Sequence, residues 1–380
     1  MPIGLIKVFP IFCFIFYFLF VHLQKYPWLY TVFLFDGHLI EFIHFFTIFV
    51  GMKQFIPLLC LLLWACHKQP APAQLSVYYW KTRFSLNAPQ QEFLSEYDVQ
   101  KLYIRYCDII LLEGKAVPDA PVELDAAALK GKEVIPVIYI KNEVFLSDKV
   151  AAEQLAEKLS GYIEQINHSY NLTVKQVQLD CDWSLKSKTH YFDFIKYFRA
   201  QNPYQLSATI RLHQVKYHDR TGIPPVDYGV LMYYNMGKIT ATGANSIYNR
   251  ATAQKYLPAL RSYPLPLKVA LPIFSWGVHS IAGEVTDLVG GLTFAEADTL
   301  SQLSRMGNSD CYLVTEPIAY KGQRWQKGDI IKIEEISQTD LLTMKADLTK
   351  HLKSAPEEII LYDLNTNIDT YEKDFFKKLR

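Results

Sequence analysis

The run Gln178-Leu179-Asp180-Cys181-Asp182-Trp183-Ser184 holds the densest chemistry in the chain, at the end of an alternating apolar stretch that begins at Val174. Side chains alternate between faces along a strand, so Gln176, Gln178, Asp180, Asp182 and Ser184 share one face. Val177, Leu179, Cys181 and Trp183 share the other. Carboxylates two residues apart on one face feel each other's charge, and each must be paired or hydrogen-bonded to stay ionised. Such a row suits a binding or catalytic site at the end of a buried strand.

A second polar row lies thirty residues on. Ser207, Thr209, Arg211 and His213 share one face of a strand-like run, and Leu206, Ala208, Ile210 and Leu212 share the other. An arginine beside two aspartates lets both stay ionised, or clamps one with two parallel hydrogen bonds. The same alternation turns Arg105 inward from an earlier run. Asp182, the last carboxylate before a loop, is the better candidate for function; Asp180 lies deeper, where a structural role competes. A polar interior whose charges merely neutralise one another is the other reading of these rows.

The elements that must position these residues are eight strand-like runs. They are 75–80, 101–112, 133–140, 174–183, 206–214, 228–235, 267–276 and 358–364. Helical patterns separate most of them: 89–97, 148–168 with Ser147 or Asp148 as cap, 190–201, 251–262 and 340–353. The link between the second and third runs is poor in helix, with 126–130 its best candidate, and a last helix is expected over 371–379. Strands alternating with helices imply a parallel sheet, and eight such units imply a closed (β/α)8 TIM barrel with its site at the carboxyl ends of the strands. The segment 278–339 is long for one connection. It contains two further strand-like runs, 312–315 and 329–333, and reads as a small β-rich insertion after the seventh strand, overhanging the carboxyl-end mouth. The barrel then spans 75–365, and 366–380 forms a C-terminal helical tail.

The chain before the barrel has another character. Residues 1–51 are crowded with Phe, Ile, Leu and Tyr and read as an upstream extension foreign to the fold. Met52-Lys53 opens a short basic segment, followed by an apolar run and Leu63-Trp64-Ala65-Cys66. That pattern resembles a bacterial lipoprotein signal peptide over 52–65, with Cys66 as the lipidated first residue, although Trp64 is unusual at its place. Residues 66–74, with Pro70 and Pro72, then form a tether. Two membrane helices within 1–65 are the competing reading. Targeting segments of this kind stay outside fold reasoning.

Composition narrows the function classes. The formal net charge is +1 and no basic stripe exists, so nucleic acid is not an expected partner. Beyond Cys66 the cysteines are Cys107, Cys181 and Cys311, an odd, scattered set that fits neither a disulfide framework nor a zinc site. His190, His218 and His279 show no metal-binding spacing, and no G-x-S-x-G elbow or glycine-rich phosphate loop follows a strand. No cofactor is expected.

With the runs in order, a family resemblance emerges. Asp180-Cys181-Asp182-Trp183 resembles the fourth-strand signature D-x-x-D-x-D-x-E of chitinase-like barrels, glycoside hydrolase family 18. Asp180 and Asp182 match its second and third Asp, Val177 stands at its first Asp, and Ser184 stands at its catalytic Glu. Met232-Tyr233-Tyr234-Asn235 is similar to the sixth-strand M-x-Y-D, and Ala270-Leu271-Pro272-Ile273-Phe274 to the seventh-strand G-x-P-x-Y. Val77-Tyr78-Tyr79-Trp80 is similar to the first strand. The third run lacks the S-x-G-G of the family, and the eighth, Tyr362-Asp363-Leu364-Asn365, lacks its Trp.

The resemblance implies a barrel that handles a glycan. In the family the Glu protonates the glycosidic oxygen while the substrate's own acetamido group attacks, held by the neighbouring Asp, an exception to the two-carboxylate scheme. A serine hydroxyl does not ionise near neutral pH and cannot be that acid. Either the protein binds glycan without cutting it, or another carboxylate such as Glu113, Glu143, Glu316 or Asp363 supplies the proton, or the barrel does unrelated chemistry. Asp182 and Asp180 are the candidate catalytic residues. Arg105, Arg211, His213, Asn235, Tyr234, Trp80 and Trp276 are candidates to bind substrate, with Asp182, Arg211 and Tyr234 converging on one pocket. Rim aromatics, which include Tyr139 and Phe274, could stack on sugar rings or cap the core.

The expectation is a glycan-binding barrel anchored by lipid in the cell envelope, at a periplasmic or outer-membrane face. The alternative is a structural or assembly lipoprotein that uses the barrel as scaffold. Cys66→Ala is expected to abolish metabolic fatty-acid labelling, because acylation needs the thiol. Intact mass of the mature protein should lack residues 1–65, and their retention would overturn the signal-peptide reading.

Overall fold

Eight runs rich in β-branched and aromatic residues pair edge to edge into a closed parallel barrel in the computed structural model, which describes residues 72–364 and 368–380. Cys66 and the other expected features of the leader lie outside the described residues. The strands, first to eighth, are Gln74–Tyr79, Lys101–Leu112, Glu133–Ile140, Gln176–Asp180, Gln205–Arg211, Tyr228–Met232, Leu267–Pro272 and Glu358–Tyr362. The first pairs in parallel with both the second, Tyr78 opposite Tyr103, and the eighth, Val77 opposite Leu361, and this closes the ring. An antiparallel strand, Lys115–Asp119, adds to the second strand through the turn Glu113-Gly114, where both residues have positive φ.

Helices cover the outward faces. Ala88–Glu96 starts with a capping box, in which Asn87 Oδ1 accepts from the Gln90 amide at 2.9 Å and Gln90 Oε1 accepts from the Asn87 amide at 3.0 Å. Ser337 and Asp340 make the same exchange at the head of Gln338–His351. Several sequence expectations shift. Residues 126–131 form turns rather than a helix. The helix expected over 148–168 starts later, as Ala152–Ser169, with a separate short helix, Asn142–Leu146, ahead of it, and neither Ser147 nor Asp148 caps the longer one. The helix expected over 251–262 divides into Arg250–Ala253 and a 3-10 turn, Leu257–Ser262, because Pro258 offers no N–H to the preceding turn.

Inside the ring, polar and aromatic side chains such as Ser76, Tyr78, Tyr103, Gln178 and Ser207 are buried beside aliphatic ones. At the amino end Glu358 accepts from Ser76 (2.5 Å) and Tyr103 (3.2 Å) and pairs with Lys268 (2.7 Å) and Lys101 (3.4 Å). Burial pushes its carboxyl up, and Lys268, Ser76 and Lys101 outweigh that effect and hold it below the usual range. One layer higher, Tyr78 donates to Gln178 at 2.8 Å. Buried polar groups of this kind stay only when partnered.

The second strand carries a bulge between Arg105 and Cys107. The extra residue, Tyr106, turns out to Asn167 at 3.0 Å. Strict alternation would send Asp108 outward. The bulge returns it to the side of Arg105, which donates to it at 2.7 Å.

The seventh strand ends at Pro272, so Trp276 belongs to the insertion rather than to the barrel. The insertion holds more strands than the two its pattern suggests. Its antiparallel sheet has five strands, in the spatial order Glu284–Gly290, Trp276–Ile281, Ile330–Glu334, Cys311–Val314, Leu303–Arg305, with a separate hairpin, Ile318–Tyr320 and Gln323–Trp325. It buries a core of its own around Val289, Leu292, Tyr312, Trp325, Ile331 and Ile333. Glu334 ties this unit to the loop that follows the sixth barrel strand. It accepts from Trp276 Nε1 at 2.8 Å, from Ser246, and from Lys332 Nζ at 2.6 Å, while Lys332 also donates to the Ala244 carbonyl at 3.2 Å. That loop leaves from a strand's carboxyl end, so the insertion overhangs the carboxyl-end mouth.

Lys332 and Glu334 are 1% and 0% exposed, so neither charge can turn to water if its partner is lost. Lys332→Met is therefore expected to lower unfolding stability by about 3 kcal/mol, read from urea denaturation, whereas an exposed pair would lose under 1 kcal/mol.

Candidate functional site

At the end of the fourth strand the inward row is Gln178, Asp180, Asp182. Asp180 accepts from Thr209 Oγ1 of the fifth strand at 2.6 Å. Burial pushes its carboxyl up to about 6; Thr209 and Arg211 oppose that shift, and the charge of Asp182 adds to it. Asp182 sits one step nearer the loop and takes Arg211 in a two-pronged contact, Nη2 to Oδ2 at 2.6 Å and Nε to Oδ1. Both partners keep more than a third of their side chains in solvent, so this pair orients groups more than it stabilises the fold. Arg105 and Asp108 form a second, more buried pair across the mouth, and Arg105 also reaches the Ala120 carbonyl at 3.4 Å.

His213 does not extend the fifth-strand row. The strand ends at Arg211 and a short helix, Leu212–Lys216, begins, so His213 leaves the inward face and is exposed. Alternation fails wherever the backbone stops being a strand. Ser184 lies beyond the strand end, in the turn before Lys188–Gln201. Its hydroxyl stands 3.2 Å from Ser187 Oγ, which donates on to Asn142 at 2.5 Å.

The rim aromatics form one continuous cluster. Trp80 lies 5.5 Å from Tyr362, Tyr362 stacks on Tyr234 at 5.2 Å, and Phe274 touches Tyr234, Tyr362 and Trp276 at 5.8, 5.7 and 5.1 Å. The Tyr234 hydroxyl turns to Met232 Sδ at 3.0 Å. Beside this cluster, between the barrel mouth and the insertion, opens a cleft of about 500 Å³. Phe274, Trp276, Tyr362, Asn235, Asp363, Ser275, Lys81, Gly290, Gly291 and Lys321 line it. A hollow of about 130 Å³ adjoins it, lined by Arg211, His213, Tyr234, Asn235, Met236 and Tyr256. Asn235, with φ of 53°, belongs to both walls.

The structure thus gathers Arg211, His213, Tyr234 and Asn235 at the hollow, and Asn235 and Trp276 at the cleft. Asp182 meets the hollow through Arg211. Asp180, Arg105 and Trp80 line neither cavity; Trp80 backs the cleft through its contact with Tyr362. Of the four alternative acids, Asp363 lines the cleft, whereas Glu113, Glu143 and Glu316 are exposed elsewhere. Four site residues are not singled out by the sequence: Asp108, Ser275, Lys81 and Lys321. Asp108 was hidden by the bulge, and Lys81 and Lys321 sit in loops with no periodicity to interpret. The one available signal was Lys321-Gly322, a hairpin-turn pair.

A cavity of about 550 Å³ opens at the opposite, amino end around Tyr228, Lys268 and Glu358. Its charges are already matched there, and in barrels of this type chemistry belongs to the carboxyl-end loops. Among the described residues, no group of three or more His, Cys, Asp and Glu could hold a metal ion.

No protein-family model matches the sequence. No curated protein matches it either. Solved structures do match in fold. The spore cortex-lytic enzyme SleL of Bacillus cereus aligns with a TM-score of 0.51 at 13% identity, over 81% of this chain and 73% of that one. SleL of Bacillus megaterium QM B1551 aligns equally well, over 82% and 74%. A family GH18 chitinase of Cycas revoluta, solved with allosamidin, gives 0.51 at 12% identity over 81% and 98%. At such identities the likeness establishes the fold: a (β/α)8 barrel shared with chitinase-like enzymes.

Asp180 yields a signed prediction. Its folded carboxyl titrates near 6 against an ordinary 3.8, so the folded state holds the proton more tightly than the unfolded chain. The resulting stabilisation is fully present below the ordinary value and is lost as pH rises through about 6. Asp180→Asn should flatten this dependence and stabilise the protein at neutral pH by about 1–2 kcal/mol. Urea midpoints of both proteins across that range check it; parallel profiles would contradict it.

Proposed function

We propose that this protein binds a glycan in the cleft between the barrel mouth and the insertion, and that a lipid on Cys66 holds it at the cell envelope, on a periplasmic or outer-membrane face. The single observation that supports the reading most is the aromatic cluster flanking an open cleft whose wall also carries Asn235, Ser275 and Asp363. Sugar rings offer apolar C–H faces that pack on aromatic rings and hydroxyl edges that need a few placed polar groups.

Binding is favoured over hydrolysis. The resemblance sets Ser184 where the family has its acid, and the Ser184 hydroxyl is engaged with Ser187 beside a helix start. Asp180 and Asp182 then hold the polar frame of the mouth instead of steering an attacking acetamido group. Hydrolysis by another acid is the second reading, and Asp363 is its candidate because it lines the cleft. A purely structural scaffold is disfavoured by the open cleft.

Phe274→Ala tests the proposal. Phe274 contacts Tyr234, Tyr362 and Trp276, and its ring makes no hydrogen bond that the substitution would remove. Calorimetric titration with N-acetylglucosamine oligomers is expected to show affinity reduced about tenfold. Unchanged affinity, or no binding by the parent protein to any oligosaccharide on a glycan array, would favour the scaffold role.

A further inference from the structure

The insertion carries a second cluster of reactive groups, away from the cleft. Its strands Trp276–Ile281 and Glu284–Gly290 pair in antiparallel, with His279 opposite Asp287 and Ser280 opposite Val285. Thr286 is therefore an extra residue, a β-bulge, and a bulge re-aims the side chain it carries. Here it brings Thr286 Oγ1 to 3.2 Å from His279 Nδ1. The His279 carbonyl, at 3.3 Å, is a competing acceptor. Across the ring, His279 Nε2 stands 2.9 Å from Asp329 Oδ2, which also accepts the Gln326 amide at 2.8 Å. A carboxylate only accepts, so Nε2 carries the ring proton and Nδ1 offers its lone pair to the Thr286 hydroxyl. The His279 and Asp329 side chains are each 8% exposed, and the Trp325 ring lies 6.3 Å from the imidazole. Thr286 itself is exposed.

Hydroxyl, imidazole and carboxylate thus stand in the order of a hydrolytic triad. We propose that they form an acyl-transfer site for small carboxylic esters. Thr286 Oγ1 attacks the ester carbonyl carbon while His279 Nδ1 takes the hydroxyl proton. That proton passes to the departing alkoxide, so an alcohol leaves and an acyl ester stays on Thr286. Water then attacks this ester, losing a proton to His279; the acid is released and the proton returns to Thr286. Asp329 is a positioning residue, which holds the ring tautomer and faces the charge the imidazole gains. The strand bearing Thr286 is the outer one of its sheet, so amides along its free edge are donors for the oxyanion. Trp276 pairs with Gly290 at the cleft end of the same two strands, and His279 lies three residues on, about 10 Å away. The site is separate from the cleft and independent of the glycan reading.

The test supplies p-nitrophenyl acetate to the full-length chain in detergent. Release of p-nitrophenolate gives the rate, and acid quenching with peptide mass mapping locates acetyl groups. Hydroxylamine strips an acetyl ester from threonine and leaves acetyl amides on lysines. The parent protein is expected to carry a hydroxylamine-sensitive acetyl group on Thr286. Thr286→Val keeps a β-branched residue on an exposed strand, so the sheet survives, and steady turnover should vanish. Thr286→Ser should retain it. His279→Gln should slow acetylation of Thr286 about a hundredfold. Asp329→Asn should lower kcat with KM for the ester unchanged, a split that mere loosening of the sheet would not give. Turnover in Thr286→Val equal to the parent's would overturn the inference. So would a parent Thr286 that stays unacetylated, or acetylation as fast in His279→Gln.

Discussion

The first barrel strand pairs with the second on one side and with the eighth on the other, and this double pairing leaves the sheet without an edge. Once the ring is closed, every inward side chain must share a narrow interior with those of seven other strands. Asp180 and Thr209 come within 2.6 Å because their strands are neighbours and both point inward. Tyr78 and Gln178 meet across the interior for the same reason, although 100 residues separate them. The polar frame of the mouth follows from closure before any loop is considered.

Charge is the second constraint. Two arginines and three aspartates face the mouth, and the pairs divide as Arg105 with Asp108 and Arg211 with Asp182. Asp180 is left with a hydroxyl for partner, and its carboxyl rises to about 6 under burial. Perturbed carboxyls mark functional sites often, and structural networks produce them too. Here the displaced group lies beneath the cleft and outside its wall, which fits a frame that holds Arg211 and Asp182 in place.

The insertion makes the cleft. Trp276 begins its first strand, stacks near Phe274 of the barrel and donates to Glu334, so one residue joins the aromatic wall to the buried tether. Lys332 and Glu334 add a dry ion pair on the same joint. Such a pair is costly to break from either side, which gives the overhanging sheet a fixed seat over the mouth. A cleft wall built from an inserted unit can change without disturbing the barrel beneath it, because each has its own core.

Much of the fold was legible in the sequence because strand and helix periods are local properties. The eight runs, their alternation with helices, the inward rows through Asp180, Asp182, Thr209 and Arg211, and the carboxyl-end placement of the insertion all follow from pattern and chain polarity. The tertiary structure decided the rest. A bulge at Arg105 and Cys107 brought Asp108 into the mouth, and an early helix start took His213 off the inward row and onto the wall of the hollow; both depend on where pairing with a neighbouring strand stops, which no single segment encodes. The end of the seventh strand at Pro272 gave Trp276 to the insertion, and loop geometry brought Lys81 and Lys321 to one cleft from positions 240 residues apart in sequence. Periodicity reports which face a side chain takes within one element. Only packing among distant elements decides which of those faces meet.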